Sequence, residues 1–146
     1  MNNKKAKIYL IILVLFAFIN CKSKTNEPVF ENNPEQLKRV WMLVEFQDFK
    51  KDDLIKNQTQ INLTDLKNTT AFAGCNQIGF QIEVNENKII FKDFIATEMF
   101  CAEKMKLENE FSKSLNQSFD YFIKSHTLTL INFKNEKMVF VAQDWD

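Results

Sequence analysis

The stretch AFAGCNQIGF, residues 71–80, and the distant segment ATEMFC, which ends at Cys101, decide the fold of this chain. The first stretch carries both glycines of the 146-residue chain, Gly74 and Gly79, and they flank Cys75. Glycine is favoured where the backbone needs a positive φ or a close approach that a side chain would prevent. We therefore interpret the stretch as a strand that ends, turns and restarts. Cys75 then lies at the mouth of a hairpin, where a second cysteine can reach it.

The first 20 residues have the pattern of a secretory signal peptide. Lys4, Lys5 and Lys7 precede an apolar run over residues 8–19, which is shorter than the roughly 20 residues that a membrane-spanning helix needs. Cys21 follows at once in the sequence FINC, which resembles a bacterial lipobox, although the usual Leu at −3 and small residue at −1 are absent. We predict that Cys21 is diacylglycerylated and anchors the protein to a membrane. The alternative is an ordinary cleaved signal peptide with an incidental Cys21.

This pattern also predicts a location and a domain plan. Relaxed lipoboxes of this kind occur in Bacteroidota, so we expect a lipid-anchored protein in the envelope of a Gram-negative bacterium, at the outer membrane. Residues 21–34 are polar, contain both prolines and predict a tether to a single domain over residues 35–146. Without its first 20 residues the chain has 16 basic and 19 acidic residues. This slightly negative balance argues against nucleic acid as a partner.

Short strand-like segments dominate the domain. We predict strands at residues 41–46, 60–63, 68–73, 80–84, 88–94, 121–123, 127–131 and 137–142. Strict alternation in the first would place Trp41, Leu43 and Glu45 on one face and Phe46 on the other. Residues 33–37 (NPEQL) predict one helical turn, capped by Asn33 with proline at its first position. The charged residues 50–57 are interpreted as a loop.

One segment has a helical period. Leu107, Phe111, Leu115 and Phe119 recur every four residues, which predicts a helix over about residues 104–117 with its apolar stripe facing the core. Strands on both sides of a single helix indicate an α+β fold. We predict a mostly antiparallel, barrel-like curled sheet of about seven to eight strands with one packed amphipathic helix.

The segments WMLVEF, AFAGCNQIGF, ATEMFC and HTLTL and the terminal Asp144-Trp145 pair together resemble the META domain family, that of HslJ-like bacterial envelope lipoproteins. The residues that carry the resemblance most specifically are Gly74, Cys75, Asn76, Thr97, Met99 and Cys101. Phe100 and Glu98 depart from the small or basic residues common there. The resemblance implies a conical, mostly antiparallel barrel with one packed helix. It also implies a role in envelope, heat-stress or drug tolerance.

Cys75 and Cys101 lie in an exported domain, where thiols oxidise. We predict a disulfide between them; the alternative is a pair of buried free thiols, because connectivity cannot be deduced from sequence. A redox-active dithiol is a weaker hypothesis. The chain has no Cys-X-X-Cys motif, and no basic residue adjoins Cys75 to lower its pKa.

The residue inventory argues against an enzyme. His126 is the only histidine, and it is interpreted as a solvated turn residue at the start of a strand. There is no metal-ligand spacing, no Gly-X-Ser-X-Gly motif and no glycine-rich phosphate loop. We therefore expect no catalytic residue, no metal and no cofactor.

Two non-enzymatic functions remain. The protein either meets an envelope protein partner, through a sheet face or the end that carries Asn76 and Thr97, or binds a lipid or other apolar ligand in or on the barrel. The second hypothesis stems from the 15 phenylalanines, since small barrels are either filled by side chains or hold one small ligand. Phenylalanine in place of leucine under codon bias explains the same count.

Overall fold

Eight strands close into an antiparallel barrel in the computed structural model, which describes residues 33–145. In chain order they are β1 (Val40–Phe46), β2 (Gln60–Asn62), β3 (Thr69–Phe72), β4 (Gln77–Asn85), β5 (Lys88–Ala96), β6 (Ser118–Lys124), β7 (Thr127–Asn132) and β8 (Lys137–Ala142). Each strand pairs with the next, and β8 returns to β1 with Trp41 opposite Ala142. The predicted curled antiparallel sheet is confirmed.

Because consecutive strands run in opposite directions, their connections alternate between the two ends of the barrel. We call one end the tether rim: the chain enters it at Asn33, and it holds the β4–β5 and β6–β7 turns and the C-terminal residues 143–145. The opposite end, the disulfide rim, holds the β3–β4 turn, the loop over residues 97–104 and the β7–β8 turn. The residues that carry the family resemblance therefore lie far from the point at which the chain enters.

The barrel interior is filled by side chains. The largest of these side chains, all almost fully buried, are those of Trp41, Tyr121, Phe46, Phe91, Phe111, Phe119 and Phe140. Rings meet edge to face, as in the contact of Phe91 with Phe119 at 5.8 Å between centroids, a favoured aromatic geometry. Burial desolvates the Tyr121 hydroxyl and raises its pKa.

Strict alternation along β1 was the wrong expectation for Phe46. Trp41 and Leu43 face the interior as predicted, but the register with β8 shifts between Leu43 and Glu45. This bulge leaves Glu45 exposed and turns Phe46 into the core. An extra residue on one strand reverses the inside and outside positions that follow it.

The main helix, α2 (Met105–Leu115), packs over the disulfide rim and confirms the predicted amphipathic helix. Leu107, Phe111 and Leu115 are buried in the core, and the Phe111 ring meets Phe46 edge on at 6.0 Å. The helix ends before residue 117, because Ser118 already begins β6. Phe119, the last member of the predicted stripe, is therefore buried from a strand.

The prediction of a loop over residues 50–57 is wrong. These residues contain a short helix, α1 (Lys51–Lys56). Asp52 and Asp53 lie in its first turn and Lys56 in its last, which complements the helix dipole. Its one buried residue, Leu54, is too little to give a helical period in the sequence. Neither this helix nor any other within the described part of the chain is long and apolar enough to span a membrane.

The helical turn at the domain entrance is confirmed as a 3₁₀ turn over Pro34–Leu37, and the Asn33 side chain accepts a hydrogen bond from Glu35 N–H. The Trp41 indole N–H donates to the Leu37 carbonyl at 2.9 Å, which joins this turn to the core. Strand β4 begins at Gln77, earlier than predicted, because Gln77 already pairs with Phe72 after the turn. Small shifts of this kind separate most predicted strand ends from the observed ones.

Strands β5 and β6 stay together only briefly. They pair from Lys88 to Ile90, and Phe91 N–H then donates to the Gln117 carbonyl. Beyond this point β5 continues to Ala96 beside β4 alone. The second half of β5 is therefore an edge of the sheet as far as the described residues are concerned.

Candidate functional site

The β3–β4 turn needs glycine at residue 74. Gly74 has a φ of +98°, which side chains rarely adopt. A Cβ there would also lie 2.8 Å from Asn57 Oδ1 and 3.1 Å from Lys104 Cδ. The Gly74 carbonyl accepts a hydrogen bond from Lys104 Nζ at 2.9 Å, so the turn lies directly beside the residues that lead into α2.

The predicted bond between Cys75 and Cys101 is present. Their Cα atoms are 6.1 Å apart, and 26 positions of sequence separate them. Cys75 is buried, whereas Cys101 is partly exposed. The bond joins the β3–β4 turn to the loop over residues 97–104, and this loop carries Thr97 and Met99, two more of the residues on which the family resemblance rests.

Asn76 is the centre of the polar contacts at this rim. Its side-chain oxygen accepts hydrogen bonds from Thr97 Oγ1 and from Met99 N–H, both at 2.8 Å. Its Nδ2 donates to the Met99 carbonyl at 3.0 Å and to Glu108 Oε1 at 2.6 Å. One buried amide therefore holds the loop and the first turns of α2 in fixed positions.

Glu108 completes this cluster, although a glutamate between the members of an apolar helix stripe is expected to lie in solvent. The side chain is buried, and its Oε2 accepts the backbone N–H of Asn76 at 2.5 Å. A signal was present: Glu108 precedes Phe111 and Leu115 by three and seven residues, a spacing that puts all three on one helix face. A carboxylate on an apolar face needs a buried donor, and Asn76 supplies two.

Apolar side chains are exposed next to this cluster. Ile95, Met99 and Phe100 expose 74%, 55% and 85% of their surface. Met99 and Phe100 lie with residues 96–98 along one side of an open groove of about 340 Å³, and Ile95 precedes this stretch near the end of β5. The α2 residues Met105, Asn109 and Ser112 line the other side. The rim thus combines a fixed backbone, a groove and an apolar border.

The polar groups of the cluster are engaged in holding the backbone of the rim. Glu108 is occupied by the two donors of Asn76, and Cys75 is bonded and buried. Between residues 33 and 145 no group of three or more His, Cys, Asp or Glu side chains is placed to hold a metal ion. Cys21, the predicted lipidation site, lies outside the described residues.

His126 is not a simple solvated turn residue. It lies in the β6–β7 turn on the tether rim, and its ring stacks on Trp145 with 4.7 Å between centroids. Arg39 Nη1 is 3.3 Å from its Nδ1, and Arg39 Nε is 3.4 Å from Asp144. These contacts hold the C-terminal residues against the start of β1, so the terminal Asp-Trp pair has a structural role.

A model of the META domain family matches residues 35–145. The chain is similar to a solved NMR structure with a TM-score of 0.62 and 20% identity, covering 77% of this chain and 97% of that one. It is also similar to the NMR structure of a protein from Burkholderia xenovorans, with a TM-score of 0.57 and 14% identity over 74% and 83% of the two chains. At such identities the likeness concerns the fold alone, and no curated protein sequence matches. The family match spans most of the chain, which therefore belongs to the META domain family.

Proposed function

We propose that the protein is a lipid-anchored envelope protein whose META domain binds a protein partner through the disulfide rim. The observation that carries the proposal is the exposure of Ile95, Met99 and Phe100 beside the rigid Asn76 cluster. Large apolar side chains grouped on a surface mark interaction sites in soluble domains. The likeness to HslJ-like proteins would put such a partner in envelope, heat-stress or drug tolerance.

The position at which the chain enters the domain supports a partner site on the disulfide rim, facing away from the membrane. The domain begins at Asn33 on the tether rim, and the residues between it and Cys21 span at most about 40 Å when fully extended. A lipid on Cys21 would draw the tether rim towards the bilayer. The disulfide rim at the opposite end would then be presented to other envelope proteins.

The rigidity of the rim also favours binding. The disulfide and three Asn76 side-chain hydrogen bonds, one to Thr97 and two to Met99, fix the loop before any partner arrives. A surface that is already ordered loses less conformational entropy on association. Met99 and Phe100 are thus held outwards on a fixed backbone.

The anchor is tested by replacing Cys21 with serine. We expect Cys21→Ser to move the full-length protein from the membrane fraction to the soluble fraction and to remove the mass of the lipid. Immunoblots of fractionated cells and intact-mass measurement provide the two readings. Membrane retention together with an unchanged mass would refute lipidation at this residue.

The partner is tested by affinity capture from detergent-solubilised envelope with full-length protein as bait. Phe100→Asp should lose a partner that the wild type retains, because it places a charge in the apolar border. Phe133→Asp is the matched control, since Phe133 is exposed to 83% and lies on the same rim, in the β7–β8 turn, but does not line the groove beside β5. Identical protein sets for all three baits would contradict the proposal. Lipid extraction of the same samples tests the alternative apolar ligand.

A further inference from the structure

The second half of β5 has backbone groups that no strand within residues 33–145 pairs with. Beyond Phe91, β5 is bonded to β4 on one side, while β6 has already diverged on the other. A bulge at this point, where Asp93 has a φ of +55°, shifts the register with β4. The strand nevertheless runs on to Ala96, so an extended edge remains beside the groove.

The direction of the free groups follows from the ladder. Thr97 N–H donates to the Gln77 carbonyl of β4 at 3.1 Å. Because successive residues of a strand direct their N–H and C=O groups to opposite sides, those of Ala96 face away from β4. Ala96 is exposed and lines the groove opposite Met105 and Ser112 of α2.

A strand edge of this kind selects its occupant. The free N–H and C=O of Ala96 need an acceptor and a donor in register, which an acyl chain does not have. An extended peptide has both, and its side chains would alternate between the barrel side and the outer border of Ile95, Met99 and Phe100. Met105 and Ser112 of α2 line the groove across from Ala96, so a segment added to β5 must fit between the strand and the helix.

We propose that the groove between β5 and α2 binds an extended, apolar peptide segment of a partner protein by strand addition to β5. This proposal rests on the proposed interaction function and names the form of its partner. Strand addition to a sheet edge is an established mode of peptide recognition, in which the main chain gives affinity and alternate side chains give specificity. Exposed strand edges that stay unpaired are a hazard for a folded protein, so a bound segment would also protect this one.

The edge is held ready for such a segment. Ile95 lies opposite Gly79, where a Cβ would come within 3.2 Å of Ile95 Cγ2, so the missing side chain lets Ile95 lie close against β4. Thr97 is bonded to Asn76, and Cys101 is bonded to Cys75. The strand therefore stays extended up to the point at which the loop leaves the sheet.

The test uses detergent-solubilised full-length protein and phage-displayed random peptides of about eight residues, the length of an ordinary strand. Peptides selected on the wild type should alternate apolar and polar residues. Ala96→Pro removes an N–H that faces away from β4, which an edge strand tolerates, and should weaken their binding about tenfold or more. Ala96→Ser keeps the N–H and should bind like the wild type. Unchanged circular dichroism and thermal midpoint verify that both variants are folded.

Hydrogen exchange gives a second reading that needs no variant. The selected peptide should slow exchange at Ala96 N–H and leave the tether rim unchanged. Failure to select peptides, or equal binding by Ala96→Pro, would overturn the proposal. Slow exchange at the Ala96 N–H in the protein alone would also overturn it, because the edge would then already be occupied. If the exchange rate depends on protein concentration, the occupant is a second copy; if it does not, the occupant is the protein's own N-terminal residues.

The capture experiment separates this proposal from the function on which it rests. Loss of the envelope partner in both Phe100→Asp and Ala96→Pro is the expected result. If Ala96→Pro retains a partner that Phe100→Asp loses, the interaction function stands and strand addition is wrong. If neither change affects capture, the proposed function itself fails.

Discussion

Asn76 links three parts of the disulfide rim through a single side chain. It bonds Thr97 and Met99 of the loop and Glu108 of α2, and it follows directly on Cys75. An amide suits this place because it offers both donors and acceptors within one small group. An aspartate side chain would have no donor for Glu108 Oε1, and an alanine would also remove the acceptor of Thr97 Oγ1 and of the Met99 N–H.

We expect Asn76→Ala to lower the free energy of unfolding by about 3 kcal/mol, because it removes the Nδ2 donor to the buried Glu108 Oε1 and the side-chain acceptor of the Met99 N–H. Urea unfolding of the full-length protein measures the change. Asn109→Ala is the control, since this exposed asparagine lies on the nearby wall of α2 and should change stability by under about 0.5 kcal/mol. Equal values for the two variants would show that the cluster does not stabilise the rim.

Among individual residues, the sequence predicts the turn glycine and the bonded cysteines better than it predicts the buried glutamate. Gly74 could be assigned because the chain has only two glycines, and the two cysteines because the predicted signal peptide implies an oxidising compartment. Glu108 could not be assigned from its type, since glutamate on a short helix is usually solvated. Its burial depends on Asn76, 32 positions away, and only the closed barrel brings the two together.

The helix α2 closes the disulfide rim with one apolar face. Leu107, Phe111 and Leu115 reach into the core, while Asn109 and Ser112 remain on the groove. The four-residue spacing of these buried side chains therefore predicts the helix, but it places the C-terminal end of the helix too late. At Phe119 the period carries on into a strand, because inward positions of β6 continue the same sequence spacing by coincidence.

Truncation of Phe111 tests the packing of α2. Phe111→Ala should cost about 3–5 kcal/mol in urea unfolding, because it leaves a cavity where a fully buried ring meets Phe46. Phe100→Ala, at a ring exposed to 85%, should cost under about 0.5 kcal/mol. A loss below 1 kcal/mol at Phe111 would be incompatible with a buried site.

The sequence does not predict the helix α1, because it is short, or the bulge in β1, because it depends on the strand register. The helix α1 buries only Leu54, so no period of apolar residues marks it. The bulge in β1 inverts Phe46 through a register shift against β8, a strand from the other end of the domain. A pattern within one segment carries no information about such a pairing.

For the whole molecule, closure by β1 and β8 joins the two ends of the domain and the disulfide joins its middle. The bond encloses a loop of 26 positions, for which loop-closure entropy gives about 3.5 kcal/mol. Eight antiparallel strands follow from the alternating segments and turns. The closed register does not, because it depends on pairing between residues far apart in sequence.

Reduction should therefore lower the thermal midpoint of the full-length protein by on the order of 10 °C, while the far-ultraviolet signal of the sheet persists at room temperature. Calorimetry with and without reductant provides the comparison, and thiol titration under denaturing conditions verifies the redox state. An unchanged midpoint would remove the structural role of the bond. Loss of a measurable reductase or oxidase activity would instead make the dithiol functional.

In the proposed function the disulfide rim meets a protein while the tether rim faces the membrane. The most direct measurement is photocrosslinking in living cells, with a photoreactive amino acid placed at Phe100 or, on the opposite rim, at Trp145, which is exposed to 55%. We predict a discrete protein adduct from position 100 that position 145 does not form. An adduct from position 145 alone, or none from position 100, would show that the disulfide rim does not meet a partner protein.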